Sequence, residues 1–415
     1  MKNTMKFIKK NWKKMISGAL IALLMLVVVC FFENIKHYFF ENIAKELFED
    51  SNKHRGELIK VLLTFIAGMV AILVWHTSYK RVKVMEKQTK KTTEQIQVMY
   101  KGNVDTRFNN AVGHLGNENQ SVILGGIHAL HQIAVDNENY TQIVHNLFCS
   151  YLRENSAKLY KDIDFEKTPG KCPVIIQTLI DYLFKPYNSK ESVYKKYKSD
   201  LSFSTLKNCA FSGVNIKNVV FFHCLLEQCY FSESNLKNCD FSFGTLTKCS
   251  FWGKTLTECS FRKGVLTECY FGNVTFTGCS FNRGILIGCN FASGILVECH
   301  FNGGTLTECD FTFGTSKECS FSDGTLNDCN FGNRTLTKCA FTSGILSECD
   351  FTFGTLSECS FSRGTLTKCD FYGGTLTDCR FVFKGFDENN AKLFDCKLKN
   401  VNLNMELPEN QITEK

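Results

Sequence analysis

The chain has 415 residues, room for two or three folding units, and a formal net charge of +7. Phe (38), Cys (22) and Gly (29) are abundant and Pro occurs only 4 times, a bias that points to an internal repeat. The basic excess is concentrated in two clusters, Lys2, Lys6, Lys9, Lys10, Lys13 and Lys14, then Lys80, Arg81, Lys83, Lys87, Lys90 and Lys91. Both flank apolar segments, so the charge excludes a nucleic-acid footprint and reads as a topology signal.

Residues 15–32 (MISGALIALLMLVVVCFF) carry no charge and are long enough to cross a hydrocarbon core of about 30 Å. No small-residue cleavage site follows, since the chain runs Cys30-Phe31-Phe32-Glu33, so a removed signal peptide is not expected. Residues 58–77 form a second apolar segment; Lys60 lies near one end, where it can snorkel, and Trp75 lies at the other edge. The intervening loop is slightly acidic and amphipathic at helical spacing (Ile35, Phe39, Ile43, Leu47). Residues 1–80 are therefore expected to be two transmembrane helices in a lipid bilayer, with a short extracytoplasmic loop and both chain termini cytoplasmic.

Residues 81–190 have a helical pattern and form a connector, with apolar-periodic stretches near 121–135, 140–155 and 173–184. Asp136, Asn137 and Asn139 mark a break. Gly125, Gly126, Ala129 and Ala134 are small enough to let helices approach closely. His128 and His131 lie at helical spacing among apolar residues and read as packing histidines rather than metal ligands.

Residues 201–403 repeat. From Leu206 an apolar residue recurs at every fifth position, through Phe241, Leu246, Phe251, Leu256, Phe261 and Leu266 to Phe386, with a small residue, for the most part alternately Gly and Cys, two residues before each. After Phe386 the frame slips by two and resumes at Leu393, Leu398 and Leu403, with Ala391, Cys396 and Val401 as the small partners; residues 404–415 form a tail. A period of five fits a square coil with four five-residue sides, about 20 residues per coil, stacked at about 4.8 Å. Phe251, Leu256, Phe261, Leu266, Phe291, Leu296, Phe301 and Leu306 then point inward, and Cys259, Cys269, Cys299 and Cys309 fill corners as small buried residues. Sequential sides alternate Phe and Leu, which predicts two opposite Phe columns and two opposite Leu columns.

The decapeptides GILVECHFNG, GTLTECDFTF and GTLSECSFSR resemble the pentapeptide-repeat family, whose consensus is A-[DN]-L-x-x; here Cys or Gly replaces Ala, and Phe alternates with Leu. The strings RFNNAVGHLGN, SVILGGIHALHQIAVDNENY and VHNLFCSYLREN resemble the connector of bacterial membrane-anchored members. The resemblance implies a membrane α-helical hairpin, a small α-helical connector and an all-β, right-handed quadrilateral β-helix, in a multi-pass protein of a bacterial inner membrane. The connector is expected to cap one end of the β-helix and the irregular segment 387–410 the other.

The regular Cys spacing could suggest a metal ladder, but no CxxC pair occurs, and reduced thiols standing in for Ala are expected. Outward columns carry Glu258, Glu298, Glu318 and Glu358 on one side and Glu268, Glu308 and Glu348 on the opposite side, interrupted by Lys338, Lys248 and Lys368. Some family members are acidic rods that mimic DNA and protect topoisomerases; these interrupted columns depart from that pattern. Phe313 and Phe353 share one outward column and Phe243 and Phe383 share another, which makes them candidate partner-binding residues. Lys254, Arg334 and Lys384 fall at inward small positions, where each must snorkel or distort its corner, and Ser316 at a central position reads as an underpacked site.

No phosphate-binding loop, metal-ligand cluster or nucleophile motif occurs in the context it needs, so neither catalysis nor a cofactor is expected. The sequence points to a membrane-tethered scaffold binding a protein partner, with a second copy of the chain as a further candidate. A DNA mimic and a secreted effector inserted in a host membrane are the alternatives; nucleic acid is not an expected ligand.

Overall fold

The computed structural model describes residues 54–161, 171–186, 191–382, 391–392 and 397–403. The apolar segment 15–32, the loop that follows it up to residue 53, Phe383, Lys384, Phe386 and the tail 404–415 lie outside the described residues. The chain divides into two compact units, Met1–Lys101 and Gly102–Lys415.

In the first unit, helix α1 (His54–Leu115) begins; it is continuous, so the second apolar segment and the polar stretch after it form one element. It contains an 18-residue window of mean hydropathy 1.9, none of it buried. By length and composition this helix can cross a membrane.

In the second unit, the end of α1 packs with α2 (Gln120–Asp136), α3 (Glu138–Leu159) and α4 (Val174–Phe184). Asn119 caps α2 by accepting a hydrogen bond from the Ser121 amide. Ile127, Leu130, Val144, Phe148, Leu152, Ile176, Leu179 and Ile180 form the apolar centre of this layer. Gly126 is required there, because a Cβ would lie 2.8 Å from the Ala111 carbonyl oxygen and from the His114 Cβ. At Gly125, by contrast, a Cβ would meet nothing within 4 Å.

The repeat then winds as a parallel β-solenoid. One Leu side forms a nine-stranded sheet from 205–207 to 365–367, and the opposite Leu side a ten-stranded sheet from 215–217 to 397–399. The register advances by one coil at each step, with Leu246 opposite Leu266 and Leu266 opposite Leu286. The two Phe sides pair mostly through single bridges such as Ser250↔Tyr270. Past residue 382 the step lengthens by two: Thr375 pairs with Lys397, Leu376 with Leu398 and Phe381 with Leu403, in line with the frame slip in the sequence.

Phe251, Leu256, Phe261, Leu266, Phe291, Leu296, Phe301 and Leu306 are all buried, as are Cys259, Cys269, Cys299 and Cys309. Each core Phe stacks on the Phe one coil away, for example Phe281 on Phe301 at 4.7 Å and 1°. Each also meets the Phe of the opposite side edge-on, for example Phe301 and Phe311 at 5.8 Å and 85°. Both are favoured arrangements for aromatic pairs. The thiols donate to backbone carbonyls of the preceding coil, as Cys249 does to Leu226 at 3.5 Å and Cys309 to Leu286 at 3.5 Å. The hydrogen bond with the neighbouring thiol, together with burial, pushes Cys279, Cys289 and Cys309 up to about 12. Thiols held protonated in this way are inert rather than nucleophilic.

A feature the periodicity did not reveal is the left-handed turn at each corner. The residue two past each centre has positive φ whether or not it is glycine, as in Glu258 (54°), Lys263 (55°) and Glu308 (53°). Asn and Gly at several of these positions are the sequence trace of that requirement.

The first coil is closed by the helices. Lys207 donates its amide to the Tyr160 hydroxyl, which donates to the Lys207 carbonyl. Gln177 both accepts from the Ala210 amide and donates to its carbonyl, each at 2.9 Å. The Ser156 hydroxyl accepts from the Thr205 amide at 3.0 Å, and His145 Nε2 pairs with the Ser199 hydroxyl at 2.9 Å. Backbone groups that would otherwise form an open edge thus have side-chain partners.

Phe301→Ala is expected to cost about 3–5 kcal/mol by opening a cavity in the ring stack. Cys299→Leu is expected to be harmful through overpacking and Cys299→Ala mild. Chemical unfolding that ranked Cys299→Ala as the worst of the three would contradict the small-filler role of the thiols. Burial, with His128 nearby, lowers His131 from 6.5 to about 4, and burial lowers His145. A histidine whose folded pKa is depressed takes up its proton on unfolding, so stability should fall as pH drops from about 6.5 towards about 4. Melting temperature measured across that window should show this loss, and His131→Phe should flatten the slope.

Candidate protein-binding surfaces

The outward Glu columns and their interruptions are ion-paired along the axis. Lys248 pairs with Glu268 at 3.4 Å, Lys338 with Glu358 at 3.9 Å and Lys368 with Glu348 at 3.1 Å, each one coil apart. Each acidic column is therefore broken by neutralised pairs, and no continuous acidic stripe runs along either.

Phe313 and Phe353 are 67% and 57% exposed. Both sit at left-handed turn positions (φ 57° and 55°) in the column Gly213, Glu233, Gly253, Asn273, Ser293, Phe313, Asn333, Phe353, Gly373. The Phe353 ring lies over Gly373, where a Cβ would come within 2.7 Å of it, and meets Tyr372 edge-on at 5.7 Å. The structure places these two in one column and Phe243 in another, so they do not form one site with Phe243.

Phe243 belongs to a larger group that the sequence reading missed. Phe203 and His223 precede it in the same column and the three rings stack, Phe203 on His223 at 5.5 Å and 7°, His223 on Phe243 at 5.0 Å and 25°. Phe222 meets His223 edge-on at 4.6 Å and Phe243 at 5.3 Å. Lys263 continues the column with its Nζ 4.9 Å from the Phe243 ring centre. The twenty-residue column step was the available signal; Phe203 precedes the first regular repeat at Leu206 and escaped it.

The two irregular inward cations behave differently. Lys254 snorkels to Glu233 at 3.5 Å, and its corner is distorted, with the neighbouring Gly253 at φ 95° and the strand pairing reduced to Leu236↔Leu256 and Lys237↔Thr257. Arg334 neither snorkels nor breaks its corner, contrary to expectation: it is fully buried. Its Nε donates to the Ser316 hydroxyl at 2.9 Å, and its guanidinium also donates to the carbonyls of Phe311, Gly294 (3.2 Å) and Thr315 (3.1 Å). Ser316 is therefore a partner rather than an underpacked site. Its short side chain vacates the space a Leu would fill, and Gly314 vacates more, since a Cβ there would lie 2.5 Å from Arg334 Nη1. Burial lowers the arginine to about 10, which leaves it charged at neutral pH.

Among the described residues no group of three or more His, Cys, Asp or Glu is placed to hold a metal ion. The fold and its lateral surfaces define a protein built on a four-sided parallel β-solenoid. The family model for pentapeptide repeats matches eight copies over residues 215–253, 256–292 and 345–381, so the repeat region belongs to that family. No curated protein sequence matches the chain. Among solved structures, HetL, a pentapeptide repeat protein involved in heterocyst differentiation regulation in the cyanobacterium Nostoc, is 15% identical over 48% of this chain and 84% of its own, with a TM-score of 0.29. QnrB1, a plasmid-mediated fluoroquinolone resistance protein, is 18% identical over 41% of this chain and 83% of its own, also at 0.29.

Ser316→Leu is expected to destabilise by about 3–5 kcal/mol, because it strands a buried guanidinium. Adding Arg334→Gly should restore the regular repeat and recover most of that loss. A double-mutant cycle by chemical unfolding should give a coupling of about 3 kcal/mol, the upper end for residues in contact; additive effects would show that the two residues act separately.

Proposed function

We propose that this chain is a non-enzymatic scaffold, held at a bilayer by its N-terminal apolar segments, whose solenoid binds a protein partner through its lateral surface. The observation that carries the reading is the pair Phe313 and Phe353. Two large apolar side chains stand exposed in one column, at left-handed turns where Gly, Asn and Ser are otherwise frequent. Phe at such a turn is unfavourable for the backbone and leaves apolar surface in water, so a contact made by the ring supplies a reason for its presence. The unburied apolar stretch of α1 supports the tether. The uncharged segment 15–32 has the length and composition of a second span, and Lys-rich flanks outside both segments favour a cytoplasmic solenoid.

Partner capture from detergent-solubilised membranes tests the reading, comparing the full chain with Phe313→Ser/Phe353→Ser. A partner held by the unaltered chain and lost from the double variant, with unchanged melting, is the expected result. Identical sets of captured proteins would remove these residues from the site, and recovery of the chain in the soluble fraction would remove the tether.

A further inference from the structure

The ring column Phe203, His223, Phe243 differs from the Phe313 and Phe353 pair in being continuous and in ending on cations. Phe203 is 65% and Phe243 39% exposed. The backbone holds each rung: the Phe203, His223 and Phe243 amides donate to the carbonyls of Phe222 (2.9 Å), Ser242 (3.1 Å) and Arg262 (2.9 Å). Lys263 and Arg283 occupy the next two rungs, with Arg262 beside them. Among the described residues no carboxylate lies within ion-pair distance of these three, whereas the lysines in the Glu columns are paired. Two residues further along the chain, an outward aliphatic row runs parallel to the rings: Leu225, Val265 and Ile285, in register through Thr245. Leu225 and Ile285 are exposed.

We propose that this corner binds an acidic peptide segment bearing aliphatic side chains, its carboxylates on the ring edges and on Lys263 and Arg283, its aliphatic groups on the row Leu225, Val265 and Ile285. The proposal rests on the scaffold reading and names the chemistry of a partner at a second surface. Three observations select the occupant. His223 is stacked between Phe203 and Phe243, and Lys263 Nζ lies over the Phe243 ring, so at these two rungs the ring edges, the positive rim of the aromatic quadrupole, meet the surroundings. Successive nucleic-acid bases would each need a free ring face, which His223 and Phe243 do not offer. The rim and the unpaired cations present the same sign, which selects an anionic ligand. The corners on either side of Lys263 carry Glu258 and Glu268, so a broad anionic bilayer laid on the cationic rungs would meet a carboxylate on each flank, while a single peptide strand is narrow enough to avoid them.

The test uses the full chain in phosphatidylcholine nanodiscs and fluorescence anisotropy of three labelled dodecapeptides, alternating Glu-Leu, Lys-Leu and Glu-Ser. Glu-Leu should bind at least about tenfold tighter than either of the others, equivalent to about 1.4 kcal/mol. Lys263→Glu/Arg283→Glu and, separately, Phe203→Ser/Phe243→Ser should each weaken it by about tenfold or more, and Phe313→Ser/Phe353→Ser should leave it unchanged. If the aromatic variant fails to fold, the charge-reversal variant, altered only at exposed side chains, decides the matter. Equal binding of Glu-Leu and Lys-Leu, or wild-type affinity in the charge-reversal variant, overturns the proposal. So does displacement of the peptide by phosphatidylserine vesicles but not by phosphatidylcholine vesicles, which would assign the corner to a bilayer. Should the peptide fail to bind while a partner is still captured through Phe313 and Phe353, the scaffold reading stands and this inference alone falls.

Discussion

A phenylalanine ring lying flat on the ring one coil further along, 4.6–4.9 Å away, is the contact on which the rest of this molecule depends. That separation matches the spacing of hydrogen-bonded strands, so ring stacking and backbone pairing reinforce one another at every step. No coil can bury its apolar side chains alone, and each does so only by lying on its neighbours. The inward thiols and glycines follow from the same constraint, because a ring column through the middle of a square coil leaves only small volumes at the corners. Each outward column repeats at the coil spacing for the same reason, which is why single substitutions on the surface become ladders of paired charges or stacked rings.

The Arg334 site shows how far the column tolerates exceptions. A guanidinium takes the place of a corner glycine, and the surrounding coils supply a serine in place of leucine, a glycine beneath, and three carbonyls. The charge is buried with its donors engaged, which is the condition under which a buried ion persists. Lys254, four coils away in the same column and without such partners, leaves the core instead and takes one strand pair with it. The comparison separates a compensated substitution from an uncompensated one within a single repeat array.

Most of the solenoid was legible in the sequence, because its physics is periodic. The fifth-residue spacing dictated which side chains turn inward, the Phe and Leu alternation dictated opposite columns, and the two-residue slip after Phe386 reappears as the lengthened pairing of Thr375 with Lys397. What escaped was local or lay outside the period. The left-handed corners are a backbone property, occupied here by Glu, Lys and Phe as well as by Gly and Asn, so composition marks them weakly. The Arg334 and Ser316 pairing joins two apparent defects 18 positions apart, and each looked like an isolated fault until placed in adjacent coils. The stacked corner of Phe203, His223 and Phe243 begins before the first regular repeat, so a search for the repeat begins one rung too late. Candidate partner residues were legible as exposed aromatics, but which of them stand alone and which belong to a continuous surface depended on ring geometry.

The most direct measurement of the coil geometry is the distance along one column. Thr245 and Thr365 lie on the same Leu side, six strands apart in one sheet. Spin labels attached at positions 245 and 365 through ketone chemistry, which leaves the thiols untouched, should give a narrow distribution centred at about 29 Å, six steps of about 4.8 Å. A broad distribution, or a centre beyond about 50 Å, would contradict the stacked square coil from which every other feature described above follows.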